Sequence, residues 1–438
     1  MLKVGDQSFA FLDDFFRMQG NSTVSAGLVF ARDGWMVKAK NIDAYAGLDV
    51  KGKIVVLYGQ GFPRGDRATN PPAGVTNDDL KGAKGTDWAD PMTYARSKGA
   101  AGVIVVASPQ IQGAWAQVRG FLSRGNSFPE KLRDAPAGGE SNMPVMLVSG
   151  KVGDALFAGE SGNKDSATGF TFTKTATMTT AAKIEVKWTQ NVVAIWEGSD
   201  PVLKKEMVAV GAHYDHVGIN PNAPGPDKIF NGADDDGSGT VAVLGIAEAL
   251  ATAKAKPKRS ILFVWHCGEE KGLWGSEYFN KFPTVDIKQV IAQLNIDMIG
   301  RSKKEGSTEP KDKDLTGENA IYVIGKDMMS STLGSVVDGA NKGYLNLAYD
   351  TRYDDPKDTN RFFFRSDHFN YAVNGIPVAF WFDGVHVDYH GAGDHPDKID
   401  YQKMEKVTRT IMMTLLKLAD LKERPKVDKQ LPPELTQR

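Results

Sequence analysis

The second half of the chain carries a series of short apolar runs, each of which ends beside polar residues. Every run has the length of a buried strand, and helical patterns separate the runs. The predicted strands are residues 191–196, 207–212, 260–265, 290–297 and 376–382. Strands that alternate with helices form a mostly parallel sheet with helices on its faces. The second half therefore predicts an α/β domain with such a central sheet.

Two long helices belong to this prediction. One is expected at residues 238–254, and an amphipathic one at residues 401–421 should cover the sheet. The face of the first helix that packs in the core should carry the apolar residues that recur at helical spacing: Val241, Leu244, Ala247 and Leu250. The tail after Glu423 is rich in proline and charge and should be loosely held.

The first half has shorter apolar runs and more loop. Strands are predicted at residues 54–59, 101–107 and 143–149, with a helix at residues 90–98. Residues 70–84 are predicted to form a surface loop. The stretch between the second and third strands is also predicted to be loop because glycines recur in it: Gly120, Gly125, Gly138 and Gly139.

The apolar segments of the first half follow a recognisable order. The pattern K-G-K-I-V-V-L, then a helix running into K-G-A-A-G-V-I-V-V, then P-V-M-L-V-S resembles the protease-associated domain, a small β-rich module inserted into several peptidases. A generic α/β domain is the alternative. The resemblance divides the chain into a possible N-terminal remnant of a catalytic domain (1–35), a protease-associated-like domain (36–183), a catalytic domain (184–425) and a tail (426–438).

Length and charge narrow the class of protein. At 438 residues the chain exceeds what one hydrophobic core usually holds. The 53 basic and 54 acidic residues give a net charge of -1, so nucleic acid is not an expected partner. No apolar run approaches the ~20 residues that a membrane span needs. A single cysteine, Cys267, excludes an intrachain disulfide, and all seven histidines follow residue 212, which places the chemistry in the second half.

Three adjacent aspartates stand out in the run N-G-A-D-D-D-G-S-G-T, residues 231–240. Adjacent carboxylates repel one another unless a cation neutralises them, and the glycines let the chain turn tightly into the following helix. The run is interpreted as a metal-bridging loop, with a solvated acidic turn that caps the helix as the alternative. Just upstream, a predicted strand ends in H-Y-D-H, whose H-x-D pair suits a metal-ligating histidine and its orienting carboxylate.

Further polar residues follow other apolar strands, where ligands bind in parallel sheets. Glu269 and Glu270 could have different roles, since one carboxylate can bind a metal while the other accepts a proton from water. A charged helix N-terminus is the alternative. Asp297 ends another strand. His266 and Cys267 are interpreted as packed residues and not as ligands.

Together these motifs resemble a known family. H-Y-D-H, N-G-A-D-D-D-G-S-G, G-E-E-K-G-L-W-G-S, N-I-D-M-I-G and D-Y-H with a following D-x-P-D-K-I-D are similar to the five metal motifs of the dizinc aminopeptidases, and occur in order between about residues 190 and 425. The family includes bacterial aminopeptidases, glutamate carboxypeptidase and the non-catalytic transferrin receptor. The resemblance implies a zinc exopeptidase fold of the phosphorylase/hydrolase-like type and two Zn²⁺ per chain.

The resemblance also implies a ligand set. His213 and Asp297 would bind one zinc ion, Glu270 and His390 would bind the other, and Asp235 would bridge the two. Imidazole and carboxylate ligands suit paired Zn²⁺ with open positions left for water and substrate. Two metals ~3.5–4 Å apart can hold a bridging hydroxide and polarise the scissile carbonyl.

Two further residues take roles beside the metals. Asp215 would orient the His213 ring, and Glu269 would be the general base that accepts the water proton and passes it to the leaving amine. His266 and Cys267, where small or hydroxyl residues are usual, are expected to affect packing and not the reaction.

The expected function is a co-catalytic dizinc metallo-exopeptidase, and in particular an aminopeptidase acting on peptides with a free N-terminus. The alternatives are a carboxypeptidase or glutaminyl-cyclase-like enzyme on the same fold, or a non-catalytic receptor-like binding protein. A carboxypeptidase needs a basic residue for the substrate carboxylate, and Arg352, Arg361 or Arg365 could supply it. The receptor-like alternative is disfavoured because every ligand position is present.

The N-terminus carries no signal-peptide pattern, since its first six residues are polar and Asp13 and Asp14 interrupt the first apolar cluster. Read literally, this predicts a cytoplasmic protein. Members of the family usually begin with a helical segment before the inserted module. A missing front of the catalytic domain, together with an export signal, is therefore a second expectation, and it would imply a secreted or periplasmic location.

Overall fold

The computed structural model describes residues 1–59, 71–123, 127–132, 142–221 and 223–436. The chain divides into two compact units. The first comprises Met1–Ser127 and Asp134–Val186, and the second comprises Phe128–Arg133 and Lys187–Arg438.

The first unit is built on a mixed eight-stranded sheet with the order β2-β1-β11-β4-β7-β9-β10-β3, and three short strands pair separately in the order β6-β5-β8. Its strands are β1 (Leu2–Val4), β2 (Gln7–Phe9), β3 (Phe15–Gln19), β4 (Thr23–Phe30), β5 (Met36–Val37), β6 (Ile42–Asp43), β7 (Ile54–Tyr58), β8 (Trp88–Ala89), β9 (Gly102–Val106), β10 (Val145–Val148) and β11 (Phe170–Thr179). Its helices are α1 (Pro91–Ser97), α2 (Pro109–Gly113), α3 (Trp115–Leu122) and α4 (Gly150–Phe157).

The three strands and the helix predicted in this half are confirmed as β7, β9, β10 and α1. The strands lie side by side and parallel, and α1 begins where the Asp90 carboxylate accepts the amide hydrogens of Met92 and Thr93. The loop prediction is wrong at Gly120, which lies in α3. The other three glycines of that stretch, at 125, 138 and 139, lie outside the described residues.

Residues 1–35 were expected as a remnant of the catalytic domain, but their strands pair within the first unit. Leu2 pairs with Met178 of β11, and Leu28 of β4 pairs with Ile54 of β7. β1 pairs locally with β2, but its other partner, β11, is more than 170 residues away in sequence, which no local pattern reveals. The similarity of this β-rich unit to a protease-associated domain stays a prediction.

The second unit has a seven-stranded sheet with the order β12-β16-β13-β17-β20-β18-β19 and a two-stranded β14-β15 ribbon. Its strands are β12 (Val192–Trp196), β13 (Met207–His213), β14 (Gly218–Ile219), β15 (Ile229–Phe230), β16 (Ser260–His266), β17 (Val290–Ile296), β18 (Ala320–Ile324), β19 (Ala348–Asp350) and β20 (Val378–Phe382). Its helices are α5 (Gly237–Ala251), α6 (Trp274–Lys281), α7 (Ser331–Lys342), α8 (His368–Val373) and α9 (Tyr401–Ala419).

The predicted α/β architecture is confirmed. The pairs β16/β13, β13/β17, β17/β20 and β18/β19 are parallel, and only the β12/β16 and β18/β20 pairs of this sheet are antiparallel. All five predicted strands exist, as β12, β13, β16, β17 and β20. Neither β19, which has three residues, nor the glycine-rich α7 carries enough periodicity to be predicted.

Helices cover both faces of this sheet. Helices α5, α7 and α9 pack on one face around Val210, Leu294 and Trp381, while α6 and α8 pack on the other around Val264 and Phe380. The strands are therefore buried on both sides, which is why their sequences are continuous apolar runs without alternation. None of the helices in the described residues is long and apolar enough to cross a membrane.

Two expectations for this unit are wrong. In α5, Val241 and Leu244 are exposed, and the buried face instead carries Ala242, Val243, Ile246 and Leu250. Because α5 is apolar nearly all round, its periodicity fits two faces equally well. The C-terminal tail is also held: Leu435 is buried, and the Asp428 carboxylate accepts the amide hydrogen of Ser331.

The corrected orientation of α5 gives a stability prediction. Ile246→Ala should lower the free energy of unfolding by about 2–5 kcal/mol because it leaves a cavity under the sheet, whereas Leu244→Ala should change it by less than ~0.5 kcal/mol. Ile246 is 1% exposed and Leu244 is 56% exposed. Urea unfolding followed by tryptophan fluorescence measures both variants. Equal losses would contradict the orientation described here.

Candidate metal centre

The carboxyl ends of the parallel strands β16, β13, β17 and β20 meet at one edge of the sheet. His213 ends β13, and Asp297 directly follows β17. The turn after β16 carries Glu269 and Glu270. Because parallel strands deliver their last residues to the same edge, side chains from distant parts of the chain converge there.

The run of three aspartates is buried, with exposures of 0%, 3% and 2% for Asp234, Asp235 and Asp236. The interpretation as a solvated acidic turn is therefore wrong, although Asp236 does cap α5 by accepting the Gly239 amide hydrogen at 2.9 Å. A Cβ at Gly239 would lie 2.4 Å from that Asp236 carboxylate, so only glycine fits this position.

Asp236 also fixes the strands of the site. Its carboxylate accepts the amide hydrogen of His213 at 3.1 Å and that of Met298 at 3.2 Å. Asp234 accepts the amide hydrogen of Gly300 at 2.7 Å. Both oxygens of Asp236 are thus bound by backbone amides, whereas Asp234 uses Oδ1 for Gly300 and has Oδ2 3.3 Å from Nε2 of His386. Asp235 is the member of the run whose side chain faces His213 and His390.

The first group of converging side chains is His213, Asp235 and Asp297. Nε2 of His213 lies 3.3 Å from Oδ1 of Asp235 and 3.6 Å from Oδ2 of Asp297. Nδ1 of His213 lies 3.0 Å from the main-chain carbonyl oxygen of Asp215. Since a carbonyl only accepts hydrogen bonds, Nδ1 donates in this contact, which leaves Nε2 to face the carboxylates.

The second group surrounds Glu270. Nε2 of His390 lies 3.0 Å from Oε2 of Glu270 and 3.2 Å from Oδ2 of Asp235. On the other side, Nδ1 of His216 lies 2.8 Å from Oε1 of Glu270 and 3.8 Å from Oδ2 of Asp235. The two oxygens of Asp235 thus face different groups, with Oδ1 toward His213 and Oδ2 toward His390.

Asp215 acts differently from the expectation. Its carboxylate is 3.8 Å from Nδ1 of His213, and it instead accepts the amide hydrogens of Glu269 at 3.0 Å and Glu270 at 3.4 Å. The main-chain carbonyl orients the imidazole, while the side chain holds the turn that bears the two glutamates. Oε2 of Glu269 lies 3.9 Å from Nε2 of His213, beside the first group.

Burial and charge act on the pKa values in opposite directions. Burial raises the pKa of Glu269, and Asp297 and Asp235 add to this rise against the opposing effect of His213. Burial would also raise the pKa of Asp235, but His213 and His390 hold that pKa well below its usual range. Burial would lower the pKa of His390, yet Asp235 and Glu270 raise it to about 10. The site therefore attracts positive charge.

The donor atoms fit a divalent cation. Four of them are buried and lack a hydrogen-bond partner among the described residues: Nε2 of His213, Nδ1 of His216, Oδ2 of Asp235 and Oε1 of Glu270. Unpaired buried polar atoms are costly unless another partner satisfies them, and a metal ion would be that partner. Imidazole nitrogen and carboxylate oxygen form the donor set that suits zinc.

A cavity of about 200 Å³ opens onto these groups. Its lining includes five apolar side chains: Met298, Phe362, Phe380, Phe382 and Val385. It also includes five acidic or imidazole side chains: Asp235, Glu269, Glu270, Asp297 and His390.

Two residues near the centre, His216 and Tyr389, received no role in the sequence analysis. Each stands in a quoted motif, His216 as the second histidine of H-Y-D-H and Tyr389 as the tyrosine of D-Y-H. Arg365 is one of the three arginines considered for a substrate carboxylate. It lines the cavity together with Tyr389, and its Nη2 donates to the Tyr389 hydroxyl at 3.0 Å.

The non-ligand interpretation of His266 and Cys267 agrees with their positions. Nε2 of His266 lies 3.2 Å from the Tyr371 hydroxyl, and its ring packs against Phe279. Cys267 is buried, and its amide hydrogen is donated to Asn191. Neither side chain belongs to the groups of possible metal ligands found among the described residues.

A largely buried set of imidazoles and carboxylates at the carboxyl edge of a parallel sheet, open to a cavity, is typical of a metal site in an α/β protein. Comparison with family models identifies the family. The model of peptidase family M28 matches residues 191–415, which is more than half of the chain. The chain belongs to peptidase family M28.

Individual relatives agree with this family. The chain is 31% identical over 235 residues to a probable leucine aminopeptidase of Arthroderma otae, covering 51% of this chain and 56% of the relative. It is 26% identical over 313 residues to a probable leucine aminopeptidase of Arthroderma benhamiae, covering 69% and 72%. The chain thus spans little more than half the length of the first relative. Among solved structures, an aminopeptidase from Aneurinibacillus sp. strain AM-1 superimposes with a TM-score of 0.48 at 21% identity, covering 98% of this chain and 81% of that one.

Proposed function

We propose that the protein is a zinc aminopeptidase that holds two metal ions and releases N-terminal residues from peptides. Membership of peptidase family M28 supports the reaction class, and the names of the relatives support the aminopeptidase type. The observation that carries the proposal is the position of Asp235, whose two carboxylate oxygens face two separate groups of ligand atoms.

The proposed ligands follow from this geometry. His213 and Asp297 would hold one zinc ion, Glu270 and His390 would hold the other, and Asp235 would be shared. Each set places an imidazole nitrogen within 3.6 Å of carboxylate oxygens. Both sets also include a donor atom that has no hydrogen-bond partner among the described residues.

When bound, zinc supplies Lewis-acid polarisation of the peptide carbonyl and lowers the pKa of water. Glu269 is the proposed general base: it lies beside the His213 group, lines the cavity, and is held by the Asp215 carboxylate through its own amide hydrogen. It would accept the water proton on its carboxylate and transfer it to the leaving amine. Burial raises its pKa, which brings a carboxylate closer to the range that a base needs near neutral pH.

The cavity suits the side chain of a substrate's first residue. Its aromatic and aliphatic side chains would bind an apolar side chain by removing it from water. The carboxylates that also line the cavity would favour the positive charge of a free α-amino group.

We expect about two zinc ions per chain after reconstitution and removal of excess metal. The reason is that the five proposed ligands form two sets of three only if Asp235 is shared. Mass spectrometry of the metal content of the pure protein gives this ratio. A ratio near one in active enzyme would contradict the shared carboxylate. Chelation should abolish activity, and added zinc should restore it.

We expect hydrolysis of peptides with a free N-terminus and loss of at least ~10²-fold in kcat/KM when the same peptide is N-acetylated. The same peptides also test the carboxypeptidase alternative, which needs a basic residue for the substrate carboxylate. Arg365 lines the cavity and could serve, whereas Arg352 is paired with Asp350 at 2.6 Å. Cleavage of N-acetylated peptides from their C-terminus, with loss on C-terminal amidation, would instead establish a carboxypeptidase in which Arg365 binds the carboxylate.

Glu269→Gln should lower kcat by about 10²- to 10⁴-fold because the amide cannot accept a proton, while the zinc content stays near that of the wild type. Glu270→Gln should lose zinc. Glu277→Gln is a matched control, because this partly exposed glutamate does not line the cavity and pairs with Lys281 on α6. If Glu269→Gln lost zinc and Glu270→Gln kept it, the two roles would be reversed.

A further inference from the structure

His216 is a residue of the site that the proposed mechanism does not use. It is the second histidine of the H-Y-D-H motif, three residues after His213, in the segment that leaves β13. Its side chain is only 8% exposed. A buried imidazole in a protein core is usually satisfied by a hydrogen bond or packed among apolar groups, so its surroundings decide its role.

The surroundings of His216 differ from those of two other buried histidines, His266 and His368. The ring of His368 stacks on Phe380 with centroids 4.5 Å apart, and His266 pairs with a tyrosine hydroxyl. Nδ1 of His216 instead lies 2.8 Å from Oε1 of Glu270 and 3.8 Å from Oδ2 of Asp235.

His216 and Glu270 are in close contact, with Nδ1 and Oε1 2.8 Å apart, the distance of an ion pair. Both atoms are buried, and neither meets the geometric criteria of a hydrogen bond with any described residue. An imidazole nitrogen and a carboxylate oxygen in this arrangement can both be directed at one metal ion. His216, Asp235 and Glu270 can each offer one such atom to the same ion.

We propose that His216 is a ligand of the zinc ion that Glu270 and His390 would hold, a proposal that rests on the proposed two-zinc function. The two halves of the centre are then unequal. The ion beside His216 has four protein ligands, counting the shared Asp235, whereas the ion beside His213 has three.

The unequal number of protein ligands gives the two ions different roles. Zinc sites with four protein ligands are generally closed, while sites with three keep a position open for water or substrate. The open position then belongs to the His213 side, which is also where Oε2 of Glu269 lies, 3.9 Å from the His213 nitrogen. The general base and the open position are thus on the same side of Asp235, and the side that contains His216 is the tighter one.

The test measures metal binding and not activity. Zinc is removed from the full-length protein, and its affinity for two zinc ions is determined by competition with a chromophoric chelator. His216→Ala and His216→Gln are compared with the wild type. His395→Ala is the matched control, because this histidine is 38% exposed and pairs with Asp227 at the surface.

We expect both His216 variants to bind the tighter zinc ion at least ~10- to 100-fold more weakly, with the weaker ion changed by less than about threefold and His395→Ala unchanged. X-ray absorption at the zinc edge should show a total of three imidazole ligands for the two ions in the wild type. In His216→Ala the total should be two imidazole ligands.

Two outcomes overturn the proposal. The first is zinc affinity within about threefold of the wild type in both variants. The second is a loss in His216→Ala that His216→Gln restores, because glutamine can still hydrogen-bond to Glu270 and His216 would then only position that carboxylate. A wild-type protein that binds one zinc ion or none would instead refute the two-zinc function itself, so the two failures are distinguishable.

Discussion

The burial of four carboxylates at one edge of a parallel sheet is the constraint on which the second unit depends. Asp235, Glu269, Glu270 and Asp297 have side chains that are at most 11% exposed. Like charges so close together and removed from water destabilise the fold unless positive charge offsets them. The imidazoles of His213, His216 and His390 supply the nearest positive or metal-binding groups. The same arrangement that is unfavourable without a cation is therefore a strong cation site.

The backbone around this cluster is fixed by carboxylates that do not take part in it. Asp236 accepts three amide hydrogens from three different segments, and Asp394 accepts those of Asp234 and Asp235. His386 lies 3.3 Å from Asp234, and Arg301 lies 3.5 Å from Asp394. These buried contacts surround the aspartate loop and restrict it to one conformation. Only then can the two oxygens of Asp235 face two groups of ligands.

The three neighbouring aspartates show how one type of residue serves different purposes at adjacent positions. Asp236 binds backbone amides through both oxygens. Asp234 binds the Gly300 amide through one oxygen and faces His386 with the other. Asp235 is directed at His213 and His390. The main chain and the side chain of Asp215 also have different roles. The carbonyl oxygen accepts from the His213 ring, and the carboxylate accepts the amide hydrogens of the turn that carries Glu269 and Glu270. Each assignment depends on which direction a side chain leaves the backbone, and this direction is set by the elements that the loop connects.

The α/β class of the second unit, and the loops that carry its chemistry, follow from the amino-acid sequence alone. Continuous apolar runs are a local property, and in a parallel sheet each run necessarily delivers the residues after it to one edge, so His213, Glu270 and Asp297 could be brought together without coordinates. Tertiary structure alone decided the rest. The buried face of α5 required knowing which side the sheet covers, because Val241 and Leu244 are as apolar as Val243 and Ile246. The pairing of β1 with β11 and the approach of His216 to Glu270 depend on contacts between residues distant in the chain, which no local pattern of polarity records.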